Sequence, residues 1–463
     1  MDEHGPTHGH GVGLSVGWVS VLWVTHLLSA GDHRLKHVAP WAAQRLHPLR
    51  TCTGQPVHPL ERAADRLAGV LEAWRDETRG SACAGALQQH ARRVYDRPPA
   101  GVRLDTTTAT GPWPVTADGL WPCGHSKDQR PDLPPVQIMV SALDPLGMPV
   151  ATDVVPGPRA DDPRYIPAIT RVRAGLGRRG LLDGGAGNMG ALDPRAVLHA
   201  GGDPSVCPLS ESQLPPALWA SYLAPVGTAE PAVTLLHRAP PGGTSQRMAE
   251  GCERVEPVTA AGAGHRYRWQ ERRVGIRSCQ LAQAGERGLR GRLAQAPAAI
   301  TALQTRGRGW RRWADPRALP EAVLAYRHAY LVARAMGRLK GRPVSLTPRA
   351  RAREDHAPGW IRRLSLGVRV LTRLDCGVRR RVATAKTTLA GLHVGHPTRA
   401  TAHPPAERLW EAFPGLTLAI IREGRRRRRH LTPLSRVPHR MLARLAFPVA
   451  ISMRLCPASH TPP

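Results

Sequence analysis

Three groups of residues in this 463-residue chain are placed to do chemistry. The first is Asp105, an acid inside the run Val102-Arg103-Leu104-Asp105-Thr106-Thr107-Thr108. A carboxylate in a β-branched strand is costly unless it is paired or bound to a metal. The second is the stretch Gly180-Leu181-Leu182-Asp183-Gly184-Gly185, which reads as a strand running into a glycine-rich loop. The third is a set of dense basic clusters: residues 306–313 (RGRGWRRW, with Arg311 and Arg312), 349–353, 379–381, and the five consecutive arginines Arg425, Arg426, Arg427, Arg428 and Arg429. Cys123 and His125 in WPCGHS are close enough to share a metal, but no second pair follows at finger spacing. The eight cysteines are scattered without CxxC spacing, so neither a zinc ribbon nor a disulfide framework follows. No P-loop, GxGxxG, HExxH or GxSxG motif occurs.

The charge names a class of partner. Lys and Arg total 65 against 35 Asp and Glu, a formal net charge of +30. Nearly all of it is arginine, since the lysines are only Lys36, Lys127, Lys340 and Lys386. A chain this basic attracts polyanions, and phosphate-backbone binding explains the clusters together better than solvated faces do. Nothing resembles a helix-turn-helix or a zinc finger that would read bases. Trp113, Trp121, Trp310 and Trp313 are candidates for stacking on extruded bases, with core packing the competing assignment.

These residues need elements to position them. Residues 32–100 read as helical, with apolar positions Leu60, Ala63, Leu67, Val70, Leu71 and Trp74 at helical spacing in a helix over 60–94. Strands are expected at Val102–Thr108, Val136–Leu143 and Val150–Val155, forming an antiparallel meander, then a helix over Tyr165–Leu176. The order β-β-β-α-β predicts a mixed α/β sheet flanked by helices. Residues 215–318 pattern weakly and read as a β-rich or irregular insertion. Helices are expected over Leu319–Lys340 and Gly359–Ala383, a strand at Leu416–Ile421, and a last helix near Arg440–Leu445. The apolar stretch Val12–Leu28 has an acidic n-region and contains His26, so it reads as a buried helix rather than a membrane segment.

Three stretches together resemble a known family: VRLDTTTATG, the long run DGLWPCGHSKDQRPDLPPVQIMVSALDPLGMPVATDVVPGPRADDPRYIPAI, and GRRGLLDGGAGNMGAL. They are similar to the catalytic domain of bacterial insertion-sequence transposases of the DDE class. AYRHAYLVARAMGRLKGRP and LSLGVRVLTRL resemble its closing helices, so the likeness spans about residues 12–455. The resemblance implies an RNase H-like fold holding three carboxylates on two Mg²⁺ (or Mn²⁺) ions, which cut and join DNA strands at element ends. It also implies a cytoplasmic, nucleoid-associated homodimer. The organisation expected is a helical region 1–100 that binds DNA ends, a first catalytic part 101–214, the insertion 215–318, closing helices 319–385 and a basic region 386–463.

Carried over position by position, Asp105 matches the family's first aspartate and metal ligand. The second is expected in a GDxKM context, where this chain has Gly185-Ala186-Gly187-Asn188-Met189, so Ala186 takes the aspartate's place and Asn188 the lysine's. Asp183 is three residues off, which points it to the other face of its strand. The glutamate is expected within Y-x2-R-x3-E-x6-K. Tyr326 and Lys340 match, while Ala329 and Ala333 replace the arginine and glutamate. Lys340 would contact a phosphate near the scissile bond. One carboxylate of three is left, which predicts an impaired or inactive copy. The insertion is short for the family, and residues 310–324 read as the mark of a deletion, with a core strand expected to be missing.

Overall fold

The computed structural model describes residues 2–3, 13–58, 63–95, 99–224, 234–238, 245–262, 265–280, 282–284, 286–287, 310–314, 328–346, 354–393, 395–396, 398–413, 415–424, 426–434, 438–439, 441–442 and 455. The chain opens with helices α1 (Val16–Ala30), α2 (Leu35–Ala43), α3 (Leu46–Thr53), α4 (Ala63–Arg75) and α5 (Glu77–Tyr95). The Ser15 hydroxyl caps α1 by accepting from the Trp18 N–H at 3.3 Å, and Gly31 ends the helix in the left-handed region at φ 60°. The single helix expected over 60–94 is two. Asp76 stops α4 and caps α5, its carboxylate accepting from the Arg79 N–H at 2.7 Å.

The sheet begins with β1 (Gly101–Thr110), β2 (Pro135–Asp144) and β3 (Met148–Pro156), the antiparallel meander expected. Helix α6 (Asp162–Leu176) crosses to β4 (Leu182–Gly185), and α7 (Leu192–Ala200) crosses to β5 (Ser205–Pro208). Both β4 and β5 run parallel to β1. Strand β5, only four residues long, is too short to show a period in the sequence.

The described part of the insertion is β-rich. After α8 (Pro216–Leu223) come β6 (Thr234–Arg238), the long hairpin β7 (Gln246–Gly262) and β8 (His265–Ser278), and β9 (Trp310–Ala314). They extend the same sheet to nine strands in the order β3-β2-β1-β4-β5-β9-β8-β7-β6. The closing helices are α9 (Tyr330–Lys340) and α10 (Ala357–Thr384), followed by β10 (Leu389–Ala390), β11 (Ala400–Thr401), α11 (Ala406–Glu411) and the hairpin β12 (Leu418–Glu423) and β13 (Arg426–Leu431). The N-terminal part of the helix expected from Leu319, and most of the one near Arg440–Leu445, lie outside the described residues.

Helices cover both faces of the sheet. On one face, Tyr165, Ile169, Val172 and Leu176 of α6 pack on Val102, Leu104, Met139 and Val150. On the other, α1, α4, α9 and α10 share one apolar cluster with Ala109, Val136, Ile138 and Val140. Helix α10 crosses α4 closely because Gly359 has no Cβ to strike the Leu71 carbonyl. Among the described residues no helix is long and apolar enough to cross a membrane, and α1 is spent on this core. Of the two assignments open for Trp113 and Trp121, core packing holds: both are buried, with rings stacked 5.4 Å apart.

Candidate functional site

Asp105 lies midway along β1, half-buried, opposite Val140 of β2. Cross-strand partners share a face, so its side chain is on the side covered by α9 and α10. The last register pair between β1 and β4 is Leu104 with Gly185. One residue further, Ala186 is still extended (φ −73°, ψ −178°), so it stands beside Asp105 on the same face. The methyl group occupies the position where a second carboxylate would complete a pair.

Asp183 does not take that role. It registers with Val102, three residues earlier, and so faces the opposite side. There it is buried next to Arg173, whose guanidinium lies 3.6 Å from Asp183 and 2.5 Å from Asp203. Burial pushes the Asp183 carboxyl up to about 7 against the pull of Arg173, with the Asp203 charge adding to the rise.

At Thr106, on the α6 face of β1 and so across the strand from Asp105, the structure assembles a polar knot that sequence reasoning missed. The Lys127 ammonium donates to the Thr106 carbonyl at 3.2 Å, to the Thr106 hydroxyl, and to Asp161 at 2.7 Å. The Asn188 amide donates to the same Asp161 oxygen at 2.6 Å, and Gln137 donates to the other. Asp161 is buried, which raises its carboxyl, but the bonds from Lys127, Thr106 and Asn188 outweigh burial and leave it below its ordinary value. Asp105 goes the other way. Burial raises its carboxyl, and the Thr106 N–H at 2.8 Å and the Lys127 charge only partly offset that. The signal for the knot was present in Lys127-Asp128 of the GHSKD run and in Asp161-Asp162, but nothing in their spacing says that they meet.

Helix α9 packs on β1 and β2 through Val332, Ala335, Met336 and Leu339. Ala333 is on its exposed side, with Tyr330 and Gly337. Lys340, at the end of α9, is half-buried and pairs with Asp128 at 2.8 Å. Tyr326 lies outside the described residues, as does Arg425. Arg311 and Arg312 fall in β9, paired with Ile276 and Gly275 of β8. Arg426 to Arg429 form most of β13.

The Mg²⁺ or Mn²⁺ pair that the resemblance implies does not fit these residues. Among the described residues no three His, Cys, Asp or Glu side chains gather to hold a metal ion. Asp105 stands beside a methyl group and near an ammonium, and its own carboxyl is shifted toward the neutral form. Hard divalent cations require several charged or carbonyl oxygens, which this site does not offer.

No protein-family model matches the chain, and no curated protein matches it. Among solved structures, it is similar to a piggyBac transposase in a synaptic complex with hairpin DNA, at 7% identity and a TM-score of 0.35 over 82% of this chain and 70% of that one. A likeness at that level does not define what this chain does, and its own residues have to.

Proposed function

We propose that the chain is a transposase-derived protein of RNase H-like fold that binds DNA, in particular the ends of an insertion element, without cutting it. The observation that carries this reading is the Leu104–Gly185 register, which, continued by one extended residue, sets Ala186 level with Asp105 and leaves one carboxylate where two-metal strand cleavage needs a cluster. The strand order β3-β2-β1-β4-β5, with β2 alone running against the others, supports the fold assignment. The +30 charge supports the partner, because each neutralised phosphate releases counterions. Homodimerisation and action at the bacterial nucleoid in the cytoplasm belong to the same proposal.

A decayed copy with no retained role is the second reading. One observation favours it: Arg363 is buried in the main core, and among the described residues its guanidinium has no hydrogen-bond partner. Retention of duplex DNA by the purified chain, measured across a salt series, decides between them. A log–log slope of several units, about −0.9 per neutralised phosphate, supports binding. No retention at low salt removes it.

A further inference from the structure

The run Arg425–Arg429 is one of the basic clusters that the sequence assigns to phosphate binding, and its described part is a strand. Residues Leu418–Glu423 and Arg426–Leu431 pair antiparallel across a two-residue connection that starts at Gly424, whose φ of 56° suits a residue without a Cβ. The hairpin is its own two-stranded sheet, apart from the nine-stranded one. Every described residue from Ala419 to Gly424 is exposed, as are Arg427 and Arg428.

The pairing sorts the charges. On one face Ile421 is opposite Arg428, and the Arg428 guanidinium lies 3.6 Å from the Glu423 carboxylate, so that face is partly neutralised. On the other face Arg422 is directly opposite Arg427, and Ile420 is opposite Arg429. Like charges directly across a strand pair destabilise a hairpin. Near the hairpin tip, Arg422 and Arg427 have that arrangement in the open, a cost that a polyanion would reverse. Ile420, 45% exposed, lies beside them on the same face.

We propose that the β12–β13 hairpin is the duplex-binding element of this chain. This rests on the DNA-binding reading above. Two strands about 5 Å apart fit the major groove of B-DNA, about 12 Å wide. Arg422 and Arg427 then take phosphates on the groove wall, and Ile420 faces base edges, where a thymine methyl is an apolar partner. Charge complementarity selects this occupant over a protein groove, and the narrow ribbon selects a groove over a flat surface.

The test compares three full-length proteins for retention of a duplex across a salt series: the wild type, the double variant Arg422→Gln with Arg427→Gln, and a control, Arg178→Gln with Arg179→Gln. The control removes two arginines that precede β4, far from the hairpin in sequence. Anionic vesicles are assayed in parallel, and circular dichroism checks that each variant is folded. The hairpin variant is expected to flatten the salt slope by about 2 units, roughly 0.9 for each phosphate that is no longer neutralised, while the control keeps the wild-type slope. A wild-type slope retained in the hairpin variant overturns this proposal and leaves DNA binding standing. Binding to vesicles but not to the duplex overturns both, as does no binding by the wild type. If the double variant misfolds, the single variants Arg422→Gln and Arg427→Gln are each expected to flatten the slope by about 1 unit, and a wild-type slope in both overturns the proposal.

Discussion

Asp105, midway along β1, is level with Ala186, the first residue after β4, on the face covered by α9 and α10. Where a metal-dependent strand-transfer enzyme needs paired carboxylates, this chain has an acid next to a methyl group. The remaining acid is shifted by burial toward its neutral form.

Ala186→Asp tests that geometry. It puts two carboxylates beside each other, and like charges at that distance cannot both ionise cheaply. The variant should unfold at lower temperature than the wild type without metal, and regain stability with millimolar Mn²⁺ by mass action. The wild type should show no Mn²⁺-dependent shift in thermal unfolding. An equal shift in both proteins would mean that the ion binds elsewhere.

Arg363 is 0% exposed, and its guanidinium carbon sits 3.8 Å from the centre of the Trp23 ring. Burial lowers its pKa to about 9. The ring contact contributes up to about 2 kcal/mol, whereas taking an unpaired ion out of water costs several. Desolvation wins, so Arg363→Met should raise stability by on the order of 1 kcal/mol or more in denaturant titration. A loss of stability would show that the charge is compensated.

Protonation acts on the same core from its edge. His33 packs edge-on against Trp360, with ring centroids 5.9 Å apart, and both its ring nitrogens are buried without a bond among the described residues. Burial first, then the Arg363 and His26 charges, lowers its pKa to about 4, against the opposing pull of Asp32. The folded-state pKa is therefore below the unfolded value near 6.5. The unfolded chain takes up the proton first as pH falls, so stability drops between about pH 6.5 and 4, by on the order of 3 kcal/mol. His33→Phe keeps the ring and removes the titration. Wild type minus variant should be flat above pH 7 and fall below it. Asp183, with its raised pKa, shifts stability the other way over this range, which is why the difference between the two proteins is the quantity to measure.

Gly359→Ala should be costly although alanine favours helix. A Cβ there would collide with the Leu71 carbonyl, and backbone cannot swing aside as a side chain does. A drop in stability on the order of 1–3 kcal/mol is expected in denaturant titration. Gly337→Ala on α9, where a Cβ meets open space, should be neutral or stabilising.

The first three strands were legible in the sequence because each is a β-branched run bounded by turn residues. Helix α6 was legible from its apolar period. Strand β5 was not, since four residues carry no period, and the break at Asp76 was hidden inside a continuous apolar stripe. Asp105 stood out as an acid in a strand, and the parity argument kept Asp183 on the other face. What could not be read was the partner of each polar group. Lys127, Asp161 and Asn188 meet only because the loop after β1, the start of α6 and the turn after β4 come together beside Thr106. That is a fact of topology, not of spacing.

Binding without cleavage is tested most directly by incubating end-labelled insertion-element DNA with the purified full chain and Mn²⁺ at low salt, then resolving the strands on a denaturing gel. The expected result is retained DNA with every strand intact. Strand breaks that disappear in Asp105→Ala would contradict it.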